Sequence, residues 1–401
     1  MSVAGSRVAV IGGSIAGCAA AIAARRAGCE VTVFERSHAD LRDRGFGIAI
    51  PVPLRTELEA RGYLDADMPT CRVSWLAWTV RDGELPGGRV MLRQPFAGVH
   101  NNWGVLWRTL ARRVPEEVYR HDTVLAVRTD AGSVTMRTED GRTRRYDLAI
   151  GADGYRSRVR DVVAPEAHLS YAGYVLWRGT YPHERMPDGA PEDLHRSSVF
   201  VVFPGGHGGF YLIPDRRPDR CLLNWVIYTA PPASLRRAGV RSLPPGTVDD
   251  GLRSYFDRIA RAHLPPYWVE ALRRTRIGEM SVQPIYDVTV PRYVSGRLAL
   301  AGDAAALTRP HTGAGASKAL EDARALERAL LGHDDLDAAL AEYDERRRPV
   351  GNALVDLGRR LGRDRVEQTP AWDRMTTTDF LAWVERTETY YLGHPDEGDL
   401  R

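Results

Sequence analysis

Six residues constrain this chain more than any others. Gly12-Gly13-Ser14-Ile15-Ala16-Gly17 stands between a short apolar run, Arg7 to Ile11, and an alanine-rich stretch, Ile15 to Ala27, that ends at Gly28. This order predicts a buried strand, a tight turn and a helix stopped by a C-terminal glycine. A second strand is expected at once, over Glu30 to Phe34. Strand, helix and strand in succession open a doubly wound parallel sheet, whose strands are apolar because both faces are covered. Gly12 permits the turn and Gly17 lets helix and strand pack closely, while the free N–H groups at the helix start suit a pyrophosphate. Ser14 replaces the central glycine of the G-x-G-x-x-G pattern with a small residue whose hydroxyl can donate a hydrogen bond. Glu35, closing the second strand, falls where a carboxylate accepts from ribose hydroxyls, and Arg36 can pack on an adenine. The motif predicts dinucleotide binding and leaves open which dinucleotide.

The rest of the 401 residues can bury a substantial core, being 43% hydrophobic and 27% charged, in one elaborate or two intimate domains. With 55 basic and 52 acidic residues the net charge is +3, so no nucleic acid or membrane partner is expected. Lys318 is the single lysine, and the arginine excess reads as coding bias. Cys18, Cys29, Cys71 and Cys221 have unrelated spacings and no C-x-x-C, so neither a metal site nor a redox dithiol is expected, and the compartment reads as reducing cytoplasm. The uncharged stretch Val8 to Ala24 is broken by Gly12 to Ser14 and reads as strand, turn and helix, not as a signal or membrane segment.

Two similar strands return later, at Tyr146 to Ile150 and Arg297 to Ala301, each running into an Asp-Gly or Gly-Asp turn. Arg72 to Val80 and Arg89 to Leu92 alternate like strands, and Trp107 to Val114 reads as a short helix. From Tyr171 to Tyr228, aromatic and β-branched runs broken by Gly and Pro predict an antiparallel sheet, with Gly205 to Gly209 as a hairpin loop. Helices are expected over Leu252 to His263, from Ala316 to Leu330 and over Leu336 to Gly362, then a short docked helix and tail from Arg363 to Arg401. The expected division is residues 1–70, 97–165 and 285–363 for nucleotide binding, 71–96 and 166–284 for a β-rich substrate part, and 364–401 as a C-terminal segment.

The two later turns carry chemistry. In GRLALAGDAAALTRPHTGAGASKALE, Asp303 follows a strand and can accept from a polyol hydroxyl, while Gly313-Ala314-Gly315 lets backbone approach a flat ring. The helix starting near Ala316 would aim its positive end at that ring and stabilise an anionic reduced flavin. The other turn is DLAIGADGYRSRVR, with Asp153 and Gly154. These three segments in this order resemble the group A flavoprotein monooxygenases of the para-hydroxybenzoate hydroxylase fold, over roughly residues 7 to 363. YAGYVLWRG (Tyr171 to Gly179) and the segment Gly302 to Leu326 look most similar to the dihydroxypyridine hydroxylases of that family.

The resemblance implies an FAD-binding doubly wound α/β domain, an interleaved antiparallel substrate domain and C-terminal helices. It places FAD against the first motif and Glu35, and against Arg108, taken as an arginine opening a helix. It adds Asp303 at the ribityl chain, Pro310 and Gly313 to Ala316 beside the isoalloxazine, and Asp153 in a motif shared by FAD and transient NADPH or NADH. The implied reaction reduces FAD with NAD(P)H, forms a flavin C4a-hydroperoxide with O2 and hydroxylates an electron-rich, hydroxypyridine-like or phenolic ring. Epoxidation, Baeyer–Villiger insertion, an oxidase or reductase, and an idle FAD-binding partner are the alternatives. Candidate substrate contacts are Trp177, His207, Tyr211, Asn224, Trp225, Tyr228 and His311, with His311 first for proton handling. Arg178 can meet an acidic substituent or a surface ion pair. The protein is expected to be a monomer or homodimer.

Overall fold

In the computed structural model, which describes residues 2–37, 46–130, 132–191, 194–217, 219–237 and 241–387, the opening motif folds as its sequence dictates. Arg7–Ile11 is a strand, Ile15–Arg26 a helix and Glu30–Phe34 a strand paired in parallel with the first. Gly12 has φ 104°, and a Cβ there would lie 2.3 Å from the Ala152 carbonyl oxygen. A Cβ on Gly17 would lie 1.8 Å from the Gly12 carbonyl oxygen. Only glycine permits both approaches.

A six-stranded sheet grows from this unit in the order Val294–Ser295, Leu298–Leu300, Leu148–Gly151, Arg7–Ile11, Glu30–Phe34, Tyr119–Arg120. All its pairs are parallel except the first. Tyr146, expected in the central strand, belongs instead to Thr143–Tyr146 of a three-stranded sheet with Val124–Asp130 and Ser133–Thr138.

The second sheet has eight strands, in the order Met280–Asp287, Ser170–Pro182, Cys221–Thr229, Gly206–Pro214, Ser197–Phe203, Cys71–Val80, Arg89–Asn102, Gly47–Pro51. Its pairs are antiparallel, as expected, except that Ser197–Phe203 runs parallel to Cys71–Val80. The glycine-rich stretch is also strand, not loop, from Gly206 onward. A Cβ on Gly206 would sit 2.2 Å from the Tyr228 carbonyl oxygen and one on Gly208 2.5 Å from Ile227 Cδ1, so close strand packing demands these glycines. Arg89–Asn102 outruns its expected end at Leu92, and Asn102 Oδ1 accepts from Gly104 N at 2.9 Å to start the next helix at Trp103 instead of Trp107.

Helices Asp250–His263 and Pro266–Arg273 cover one face of this sheet. Helix Thr377–Thr387 docks on the other through Phe380 and Trp383, which pack with Trp372 around Trp78. The expected tail beyond residue 387 lies outside the described residues. Cysteine spacing argues against a dithiol, yet the sheet brings Cys71 and Cys221 Sγ atoms to 3.6 Å as free thiols. Among the described residues no helix is long and apolar enough to cross a membrane, and no cluster of His, Cys, Asp or Glu could hold a metal ion.

Helix Gly315–Gly332 carries the single lysine inward. Lys318 Nζ, 1% exposed, donates to the Gly302 carbonyl at 2.8 Å and to Asp322 Oδ2 at 2.7 Å, and Arg347 Nε completes Asp322 at 2.8 Å. The same Asp322 Oδ2 accepts from Gly302 N, so the Gly302-Asp303 turn is tied to a buried charge cluster. Removing one member of such a cluster leaves an uncompensated charge. Lys318→Met should lower unfolding free energy by about 3–5 kcal/mol in chemical denaturation. A loss below about 1 kcal/mol would show that the cluster does not hold the turn.

Candidate active site

The three turns lie side by side: a Cβ on Gly12 would strike the Ala152 carbonyl oxygen, next to Asp153, and one on Gly302 would lie 2.6 Å from Ala16 Cβ. Ser14 starts helix Ile15–Arg26 without a side-chain cap, so the first-turn N–H groups stay available. Glu35 Oε2 accepts from Gly13 N at 2.7 Å and Oε1 from Ser37 N at 2.8 Å, so it braces the turn and keeps further acceptor capacity. Arg36 is exposed. Arg108 sits half-buried inside helix Trp103–Ala111, not at its opening, one residue after Trp107, whose Nε1 donates to the Gly13 carbonyl at 2.8 Å.

Asp153 Oδ2 accepts from Arg158 N at 2.8 Å, while Oδ1 is buried with no partner among the described residues. Burial raises its carboxyl pKa, against hydrogen bonds from Ser157 and backbone. Asp303 is exposed, yet protein surrounds it closely enough for desolvation to raise its carboxyl pKa, with Lys318 opposing. Pro310 is exposed as well. Cβ atoms on Gly313, at φ 66°, and on Gly315 would meet nothing within 4 Å. Open helix termini, an unpartnered Asp153 oxygen and a glycine cradle fit a dinucleotide with a flat ring. Arg160, missing from the candidate residues, ties the two later turns together by donating to the Tyr155 carbonyl at 2.6 Å and the Ala304 carbonyl at 3.4 Å.

His311, in the short turn Pro310–Thr312, packs from these turns onto the eight-stranded sheet. Its Nδ1 lies 3.0 Å from His207 Nε2 and its Nε2 2.7 Å from the Tyr174 hydroxyl. Tyr228 stacks on His207, ring centroids 4.5 Å apart, and lies 4.2 Å from His311. Behind Tyr174, Arg309 pairs with Asp287 at 2.8 Å and Glu367 at 2.6 Å. Burial holds the pKa values of both histidines well below the ordinary 6.5, and nearby Arg365 pushes the same way. Both are neutral at pH 7.

Strand register sorts the remaining candidates. His207, Tyr211, Asn224 and Tyr228 share the face that His311 meets, and Tyr211 packs on His100 at 4.2 Å. Trp177 and Trp225 occupy the opposite face. Both are fully buried against Phe256, with indole N–H groups donating to Thr229 and Thr275, so they are core and not substrate contacts. Alternation along the strands separates the two sets, but sequence alone does not say which face the flavin loop meets. Tyr174 is not readable from sequence, since only tertiary packing brings it to His311; Arg309 adjoins His311 in the chain, and packing supplies its contacts with Tyr174, Asp287 and Glu367.

The turns and the two sheets together define a dinucleotide-binding flavoprotein of the para-hydroxybenzoate hydroxylase architecture. Residues 104–358 match the family described as FAD binding domain, and the chain belongs to that family of group A flavin monooxygenases, with FAD as its cofactor. Residues 7–63 also match a pyridine nucleotide-disulphide oxidoreductase family. The chain is 29% identical to 2,6-dihydroxypyridine 3-monooxygenase of Paenarthrobacter nicotinovorans, covering 90% of this chain and 92% of that one. It is 29% identical to 3-amino-4-hydroxybenzoate 2-monooxygenase of Streptomyces cremeus, covering 98% of each. The solved structure of 2,6-dihydroxypyridine-3-hydroxylase from Arthrobacter nicotinovorans superposes with a TM-score of 0.82 at 26% identity, covering 99% of both chains.

Two predictions follow from this geometry. Asp303→Ala should yield protein without bound FAD, and Glu35→Ala should weaken FAD by about 1–3 kcal/mol in a flavin titration; full retention with an unchanged Kd would contradict both roles. Stability should also depend on the buried histidines. His100, desolvated, is lowered to about 4, and His207 and His311 are lowered too. Each binds fewer protons folded than unfolded below about pH 6.5, so this stability is present above that pH and lost as pH falls towards about 4. Urea midpoints should drop across that window, and less steeply in His100→Gln.

Proposed function

We propose that the chain uses NADPH or NADH and O2 to hydroxylate an electron-rich aromatic or N-heteroaromatic ring, hydroxypyridine-like or phenolic. The observation that carries this reading is the His207–His311–Tyr174 chain, set against the Pro310–Ala316 loop on a face lined by Tyr211, Asn224 and Tyr228. The named activities of the two relatives, on a dihydroxypyridine and an aminohydroxybenzoate, support it. Bound FAD supplies electron transfer from the nicotinamide and an electrophilic oxygen from O2.

The chain's own residues hold the ring and manage its proton. Gly12 to Gly17, Glu35, Arg36, Arg108, Asp153 and Asp303 hold FAD. Tyr228, stacked on His207, offers a flat apolar wall. With His207 Nε2–H donating to His311 Nδ1, and His311 Nε2–H donating to Tyr174, a lone pair remains at His207 Nδ1, which has no partner among the described residues. A ring hydroxyl placed there can hydrogen-bond to it while staying out of water. On this reading residues 1–70, 97–165 and 285–363 serve FAD, and 71–96 and 166–284 serve the substrate. The enzyme works in the cytoplasm, as a monomer or homodimer, on a small molecule.

The test follows NAD(P)H oxidation and O2 uptake by the purified flavoprotein with and without hydroxypyridines and phenols, together with product mass. Substrate-stimulated oxidation and a product heavier by one oxygen are expected; steady peroxide with no product from any ring would refute the assignment. His311→Ala should slow ring hydroxylation by roughly 10²-fold or more and leave flavin reduction largely intact. Equal slowing of both half-reactions would remove His311 from proton handling.

A further inference from the structure

Arg178 is out of place for a soluble protein's arginine. It lies on Ser170–Pro182, on the face shared by Tyr211, Asn224 and Tyr228, with its guanidinium 3.5 Å from the Phe46 ring centroid. Among the described residues it has no hydrogen bond and no ion pair, and its Nε is buried. Its cross-strand neighbours are Val226 on one side and Ser281 on the other, so no carboxylate stands opposite. Arg178 is half-buried, and with its Nε sealed from solvent and no anion beside it, a charged donor stays unsatisfied unless a ligand completes it. Desolvation accordingly lowers its pKa to about 10, with Tyr211 and Tyr228 nearby opposing the shift.

Other incomplete groups stand beside it. Asn224 is fully buried and its Oδ1 accepts from Gly47 N at 2.9 Å, which fixes the amide orientation, yet Nδ2 has no acceptor. Ser281 Oγ is buried and unpartnered too. The strand rows run Tyr211, Asn224, Thr180, then Gly209, Val226, Arg178, then His207, Tyr228, Leu176, so Arg178 lies between the Asn224 row and the histidine row. The Phe46–Gly47 pair lies over the first of these, since a Cβ on Gly47 would strike the Tyr211 ring.

We propose that Arg178 and Asn224 Nδ2 form an anion subsite that holds a negatively charged oxygen on the aromatic substrate, an ionised hydroxyl or a carboxylate. The proposal rests on the reading of this face as the ring-binding site. It assigns the charge in the site to the protein's arginine and the substrate's oxygen, and leaves the His207–His311 pair neutral with its free acceptor at His207 Nδ1. If the oxygen is a hydroxyl, the ring is held in its ionised form, which is the better nucleophile. If it is a carboxylate, the subsite fixes which ring position faces the Pro310–Ala316 loop.

The test uses the FAD-loaded enzyme and four probes: 4-nitrophenol with its neutral methyl ether 4-nitroanisole, and benzoate with neutral benzamide. Binding is read as perturbation of the flavin absorbance, and nitrophenolate formation directly from its own absorbance. At least one anion should bind about tenfold or more tighter than its neutral partner, and Arg178→Met should abolish that preference. Preference within the phenol pair, with the bound nitrophenol pKa lowered in wild type only, marks an ionised hydroxyl; preference within the benzoate pair marks a carboxylate. Equal binding of anion and neutral partner, no binding of either anion, or a preference that survives in Arg178→Met overturns the subsite. Arg178→Lys, which keeps charge but not the planar fork, stands in if Arg178→Met fails to retain FAD, and should weaken the preference. Failure of the hydroxylase reading appears separately, as absent substrate-stimulated NAD(P)H oxidation with the preference intact.

Discussion

The contact between Lys318 and the Gly302-Asp303 turn underlies the site. Its ammonium neutralises Asp322, which also takes the Gly302 N–H and the Arg347 guanidinium, so four groups from three segments share one buried centre. Such a cluster yields little net stability over apolar packing, but it permits one arrangement of its members. It fixes where strand Leu298–Leu300 ends and helix Gly315–Gly332 begins. Asp303 and the glycine cradle between them therefore stand on a rigid base, although they lie in loops.

Charge on the sheet face that His311 meets is arranged differently. Arg309 has its carboxylates, Asp287 and Glu367, whereas Arg178 has none, and the histidines between them are held neutral by burial. Among the described residues, this face leaves buried atoms without a partner at Arg178 Nε, Asn224 Nδ2, Ser281 Oγ and His207 Nδ1, and of these only Arg178 carries a charge. Satisfied networks rigidify a protein, and unsatisfied ones mark where something else belongs. The contrast separates the two halves of the face: His311 is satisfied at both nitrogens by His207 and Tyr174, whereas the Arg178 guanidinium faces no carboxylate.

Much of the scaffold was legible because it depends on local pattern. The strands Arg7–Ile11 and Glu30–Phe34 and the helix Leu336–Gly362 agree with their sequence boundaries, since apolar periodicity and glycine stops act over a few residues. The helix at Trp103 was misplaced because a side-chain cap at Asn102, readable as Asn before an apolar run, outweighed the later hydrophobic spacing. Gly206, Gly208 and Gly209 looked like a loop because glycine serves turns and close strand packing alike. What periodicity cannot supply is the third dimension. His207 and His311 are 104 residues apart, Tyr174 and His311 137, and Cys71 and Cys221 150, so each contact depends on the completed sheet. The single lysine was a signal of its own: where arginine fills every other basic position, the exception marks a site that takes a compact ammonium and not a planar fork.

The strand Gly47–Pro51 joins the two halves of the site. Its first residue donates to Asn224 Oδ1, and two residues on the Ala49 carbonyl accepts from Ser317 Oγ at 3.2 Å, at the start of the helix that follows the glycine cradle. Its other edge is paired with residues 98–102 of Arg89–Asn102. The distance from the Asn224 face to the cradle is therefore set by a five-residue paired strand. Oxygen transfer to one ring carbon needs reacting atoms within about 3–3.5 Å of each other. A ring held at Arg178 and Asn224 would be registered against the cofactor through that strand, so sheet register, more than loop conformation, decides which carbon reacts.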